Sequence, residues 1–180
     1  MKSVLISIQP KWCKLIASKK KTVEVRKTRP KIDTPFKCYI YCTKPPKGKA
    51  HTYDAFGLGG NPYECGGKVI GEFLCKSIYH YRYTKPFSYL GMKMHHTNAY
   101  CAQACLSWPS LEKYLGASDG YGWHISDLVI YDKPKELYEF LNYKKYENCL
   151  KKACFSSDCW ACPNNATMVK PPQSWCYVKE

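Results

Sequence analysis

Residues 7–26, SIQPKWCKLIASKKKTVEVR, constrain this chain more than any other part of it. Two periodicities meet there. Trp12, Leu15, Ile16 and Lys19 recur at helical spacing while Lys11, Lys14 and Ser18 fall on the other side, which predicts a short amphipathic helix over residues 11–18. Pro10 falls in the first turn, where a missing N–H removes no helical hydrogen bond. Past a turn at Lys19 and Lys20 the pattern becomes alternation: Val23 and Val25 point one way, Thr22, Glu24 and Arg26 the other. Residues two apart on a strand are separated by about 6.6 Å. Glu24 and Arg26 therefore stand side by side on one face, with Lys21 just before them.

The rest of the chain supplies short strands. Alternating or apolar runs predict strands at residues 4–8, 36–43, 68–81, 123–131 and 174–178, with Cys38, Ile40 and Cys42 on one face of the second and Tyr39 and Tyr41 on the other. Short helices are expected at 97–106 and 109–115, the latter capped by Ser107 or Ser110 and stopped by Gly116. Residues 136–141 form an amphipathic segment, and residues 44–67 are dominated by Pro, Gly and Lys and read as loop. Many short strands with few helices favour an α+β chain built on a small mixed β-barrel with flanking helices, rather than a parallel α/β sheet. A length of 180 residues suits a single domain over 1–180. Insertions are expected at about 44–66, 84–106 and 143–172.

The run K-K-K-T-V-E-V-R over residues 19–26 resembles the signature of the ASCH domain family in the PUA-like superfamily, a pattern G-x-K-x-x-E-x-R following a helix. Lys21, Glu24 and Arg26 match, and Lys19 stands where the pattern opens with glycine. The lead-in S-x-Q-P at residues 7–10 agrees, as do GKVIGEFLC (67–75), YGWHI (121–125) and SWCYV (174–178). The resemblance covers about half the chain and implies a PUA-like barrel with insertions. It also implies a function at the motif: RNA or modified-nucleotide binding, or an enzyme in the same cleft, either an amidohydrolase of N4-acylated cytidine or a ribonuclease. In the amidohydrolase branch threonine stands where this chain has Glu24. Glu72 is a candidate for that branch's more distant glutamate.

The residue types support either chemistry. Arg26 offers a planar fork for a phosphate or base edge, Lys21 a point charge, and Glu24 an acceptor for an exocyclic amine. If the site is catalytic, Lys21, Glu24 and Arg26 are its residues, with Glu24 placed to move a proton of the Lys21 amine. A third possibility is a solvated ion pair of little consequence. Trp12, Tyr121 and Trp123 are candidate aromatic walls, and Lys19 and Lys20 add cations to a nucleic-acid-binding set of Trp12, Lys19, Lys20, Lys21, Glu24, Arg26, Tyr121 and Trp123. Composition points the same way. With 28 Lys and Arg against 14 Asp and Glu the formal charge is +14, and 16 Tyr and 5 Trp accompany it. Cations interleaved with aromatic rings suit phosphates and unpaired bases. A basic module for an acidic protein partner fits the same charge.

No run approaches the ~20 apolar residues of a membrane span, and VLISI is too short for a signal peptide, so a cytoplasmic protein is expected. Its 12 cysteines are then thiols or metal ligands. Cys149, Cys154, Cys159 and Cys162 are separated by four, four and two residues in a segment poor in aliphatic side chains. That pattern suits one tetrahedral structural zinc. Cys101 and Cys105, one helical turn apart and downstream of His95 and His96, are a weaker candidate for a second metal. No Ser-His-Asp order, phosphate-binding glycine loop or paired-carboxylate motif stands out.

Overall fold

The helix-turn-strand segment forms as its periodicities predict. The computed structural model describes residues 2–44, 65–82, 96–116, 118–151 and 166–180. Strand β1 (Ser3–Ile8) leads into helix α1 (Pro10–Ala17), which turns into strand β2 (Val23–Arg26). The amide of Lys20 donates to Leu15 O (2.9 Å) and that of Lys19 to Ile16 O (2.8 Å), the paired bonds of a Schellman termination. Lys19 holds the left-handed position with φ 58°, where an L side chain is strained and glycine is not. Lys19→Gly should therefore stabilise the protein by up to about 1 kcal/mol. The check is a urea midpoint that rises at unchanged slope; a fall would mean that the lysine side chain contributes more than its backbone strain costs.

The remaining elements are β3 (Phe36–Cys42), β4 (Val69–Cys75), β5 (Ile78–Tyr81), α2 (His96–Gln103), α3 (Trp108–Leu115), β6 (Gly120–His124), β7 (Ser126–Lys135), β8 (Leu141–Asn142), α4 (Tyr143–Lys151) and β9 (Trp175–Lys179), with a 3₁₀ turn at Leu137–Glu139. They make a six-stranded sheet in the order β7-β4-β3-β1-β9-β8 and a three-stranded sheet in the order β2-β6-β5. Of these strand pairs, β1 with β3 is parallel and the others are antiparallel. The expected strands at 68–81 and 123–131 are each broken, at Lys76-Ser77 and at Ile125. Because β4 pairs with β7 and β5 with β6, one long hairpin bends there from the larger sheet into the smaller.

The expected small mixed β-barrel is corrected in one respect: among the described residues the two sheets do not close on each other through strand pairing. β2 is an edge of the smaller sheet, and its Val23 and Val25 pack against Cys101, Ala104, Leu111 and Leu115 of the α2–α3 region. The main core lies between the sheets, where Val4, Ile6, Ile8, Cys38, Ile40, Cys42 and Phe73 meet Cys13, Ile16, Trp123 and Ile125. Leu5, Tyr39 and Tyr41 face the other way, against Val69, Leu137, Phe140 and Val178. Strand β1 is thus buried on both faces, and the face assignment expected for β3 holds. Ser107 caps α3 by accepting from the Ser110 amide (3.4 Å), and Gly116 ends it at φ 65°. The segment 143–172, expected as an insertion, begins with α4, whose start is capped by Asn142 Oδ1 accepting from the Lys145 amide (3.2 Å). Among the described residues no helix is long and apolar enough to cross a membrane.

Candidate functional site

Lys21, Glu24 and Arg26 converge at the end of α1 and along β2. Glu24 takes both cations: its Oε2 lies 3.3 Å from Lys21 Nζ and its Oε1 3.0 Å from Arg26 Nη2. Lys21 Nζ also donates to the Ala104 carbonyl (2.7 Å), and Arg26 Nη2 to the Ser7 carbonyl (2.6 Å). The two cations are therefore tied to the α2–α3 connection and to the end of β1. Exposure is 3 %, 6 % and 8 % for the three residues, so they form a buried ion triplet rather than a solvated strand face. Two formal positive charges share one negative charge in a setting where desolvation is expensive. Arg26 Nε is buried and has no hydrogen-bond partner among the described residues.

The aromatic candidates separate. Trp12, on α1, packs half-buried against the core, with Lys21 Nζ 5.1 Å and Lys11 Nζ 4.6 Å from its ring centroid. Trp123 lies opposite Glu24 in the β2–β6 pairing. It is fully buried between Phe36 and Trp175 and offers no face to a ligand. Tyr121 pairs with Arg26 across the same ladder and is half-buried. Lys19 and Lys20 are exposed, as are Lys11, Lys14, Lys27 and Arg29. These cations lie on α1, in the turn after it and just past β2, next to the triplet in sequence.

Tyr114, on α3, has no signal in the sequence pattern. It is exposed, with Lys27 Nζ 5.7 Å from its ring centroid. Burial of its hydroxyl raises its pKa; the Arg26 charge opposes that rise and the Glu24 charge adds to it, so the phenol sits within electrostatic reach of the triplet. His80 and Asp119 are likewise absent from the sequence-based set, because their relation to Tyr121 depends on strand register that a single sequence does not reveal.

Glu72 does not join the triplet. It pairs across β3–β4 with Tyr39, whose ring packs on the other face of the large sheet. There its carboxylate meets Lys37 Nζ (2.8 Å) and Tyr131 Oη (2.5 Å). Burial alone would raise its pKa, but the hydrogen bonds from Lys37 and Tyr131 outweigh that and lower it. Of the expected zinc ligands, Cys149 is half-buried on α4, while Cys154, Cys159 and Cys162 lie outside the described residues. For the second metal candidate, Cys101 is buried against Val23 and Val25, and Cys105 Sγ donates to the Lys20 carbonyl (3.3 Å). His96 opens α2, and His95 lies outside the described residues. Among the described residues no three His, Cys, Asp or Glu side chains meet in a way that could hold a metal.

The architecture is similar to crystal structures of ASCH from Zymomonas mobilis. One matches with a TM-score of 0.57 and 20% identity, covering 99% of this chain and 88% of that chain. A mutant of the same protein matches with a TM-score of 0.54 and 19% identity over 100% of this chain and 92% of that one. No protein-family model matches the sequence, and no curated protein matches it. At this identity the likeness is one of fold: the chain has the mixed α+β fold of ASCH domains, as residues 19–26 led one to expect.

Proposed function

We propose that this protein, with its ASCH fold, binds RNA or a modified nucleotide in the cytoplasm, at the basic, aromatic-flanked region around Lys21, Glu24 and Arg26. The observation that carries this reading is the triplet itself. Two cations share one carboxylate out of solvent, which leaves one positive charge uncompensated. Excess buried positive charge favours a ligand that brings a phosphate or a carbonyl acceptor. Lys11, Lys14, Lys19 and Lys20, exposed on α1 and the turn that follows it, supply the sequence-independent attraction that phosphates need. Trp12, with the Lys11 and Lys21 ammonium groups over its ring, and half-buried Tyr121 supply aromatic surface beside the cations. PUA-like folds that read modified nucleotides add a fold-level expectation of the same kind.

Titration of single-stranded RNA at several salt concentrations tests the reading. Affinity should fall as salt rises. Lys14→Ala should weaken all RNAs alike and reduce the salt slope by about one unit, since an exposed ammonium contacts phosphate without reading bases. A flat salt response, or tighter binding to an acidic protein than to RNA, would replace RNA binding with a protein-interaction role.

The enzyme reading draws on the 3.3 Å separation of Lys21 Nζ and Glu24 Oε2, close enough for proton transfer between amine and carboxylate. Incubation with N4-acetylcytidine, and separately with labelled single-stranded RNA, distinguishes amidohydrolase, ribonuclease and binding protein. We further propose one structural zinc held by Cys149, Cys154, Cys159 and Cys162, on the strength of their spacing. Elemental analysis should give one zinc per chain, lost in Cys159→Ser. Folded protein that is metal-free as isolated would refute it.

A further inference from the structure

The sheet face that carries the triplet continues past it to the surface. Strand register sets Arg26 opposite Tyr121 and Tyr121 opposite His80, so a guanidinium, a phenol and an imidazole share one face in a single row. Exposure rises along it: Arg26 is buried, Tyr121 half-buried and His80 exposed. The rings of Tyr121 and His80 are parallel, with centroids 5.0 Å apart and planes 5° apart. At the edge of the imidazole, His80 Nε2 lies 2.7 Å from Asp119 Oδ2. One side of the ring is therefore braced by a stack and its edge is fixed by a carboxylate, while the His80 side chain stays 39% exposed. A flat ring already held in place loses little freedom when a second flat group stacks on it. Arg82, two residues along, is exposed and adds a cation for a phosphate.

We propose that His80, braced by Tyr121 and Asp119, is the stacking platform for a second nucleotide, so that the ligand is a single-stranded RNA of at least two nucleotides rather than a lone nucleoside. This rests on the RNA reading of the triplet. Two strand spacings, about 9.6 Å, separate β2 from β5, and a single planar base cannot engage both Arg26 and His80. Base–aromatic stacking is tolerant of sequence, so the platform contributes affinity and site length while base discrimination stays with the triplet.

The test measures binding of a mononucleotide, a dinucleotide and a hexanucleotide to the full chain and to His80→Ala and His80→Phe, with circular dichroism to verify folding. The oligonucleotides should bind more tightly than the mononucleotide. His80→Ala should lose about 5- to 100-fold for the oligonucleotides, the size of one base–aromatic stack, with mononucleotide affinity unchanged. His80→Phe, which keeps a ring and loses the Asp119 bond, should stay within a few-fold of the original. Oligonucleotide affinity unchanged in His80→Ala, an equal loss for all three ligands, or an equal loss in His80→Phe overturns the platform and leaves the RNA reading standing. Absence of any RNA binding by the unaltered protein overturns both.

Discussion

Glu24→Ala should destabilise the protein by about 3–5 kcal/mol, the usual cost of removing one partner of a buried ionic cluster. The carboxylate is the sole anion of the triplet, 6 % exposed, and it accepts from both Lys21 and Arg26. Its loss leaves two like charges close together and out of water, with the Ala104 and Ser7 carbonyls as their remaining acceptors among the described residues. Glu24→Gln keeps an acceptor without the charge and should cost less. Lys21→Met should also cost less, because the Glu24–Arg26 pair that remains is neutral. Urea unfolding of the three single variants and of the Lys21→Met/Glu24→Ala double variant checks this through the coupling energy. If Glu24→Ala is no less stable than Lys21→Met, the triplet is not the electrostatic unit its geometry describes. Loss of RNA binding or of turnover on removal of Glu24 therefore carries meaning only beside a stability measurement.

That consequence also marks how far the sequence is legible. Alternation over residues 22–26 puts Glu24 and Arg26 on one face, and the helix before them brings Lys21 alongside. These are local facts, and local geometry reproduces them. Burial is not local: the Ala104 and Ser7 carbonyls that receive the cations lie 83 and 19 residues away from their donors. Nothing in the pattern K-x-x-E-x-R distinguishes a solvated face from a buried one. The bends at Lys76-Ser77 and Ile125 are equally hidden, because an apolar strand that changes sheets keeps its alternation through the corner. Lys19 is the converse case. It occupies the position where the motif opens with glycine, the residue that a left-handed helix end favours, and its φ is 58°. His80 shows the cost of lacking register: it becomes a neighbour of Tyr121 only once β5 is aligned on β6.

Trp123 links this site to the core, and its replacement is the second large expected effect. The indole is fully buried, edge-on to Phe36 (5.8 Å between centroids) and to Trp175 (5.9 Å), and it pairs with Glu24 on one neighbouring strand and Ile78 on the other. Among the described residues it is the largest fully buried side chain, so Trp123→Ala opens the space between the sheets and should cost about 3–5 kcal/mol. Trp123→Phe should cost much less than that. Trp123 Nε1 is buried with no partner among the described residues, and a stranded N–H of this kind carries a penalty of about 1–3 kcal/mol that phenylalanine lifts. The volume lost in the smaller ring offsets part of that gain. Urea unfolding of both variants gives the comparison. Equal, large losses would mean that the indole N–H has a partner and that Trp123 contributes by hydrogen bonding as well as by packing. A small loss in Trp123→Ala would mean that the two sheets close over the gap. Because Trp123 stands opposite Glu24, such closure should also shift the triplet, and RNA affinity in Trp123→Ala then reads how closely the carboxylate's position depends on the core behind it.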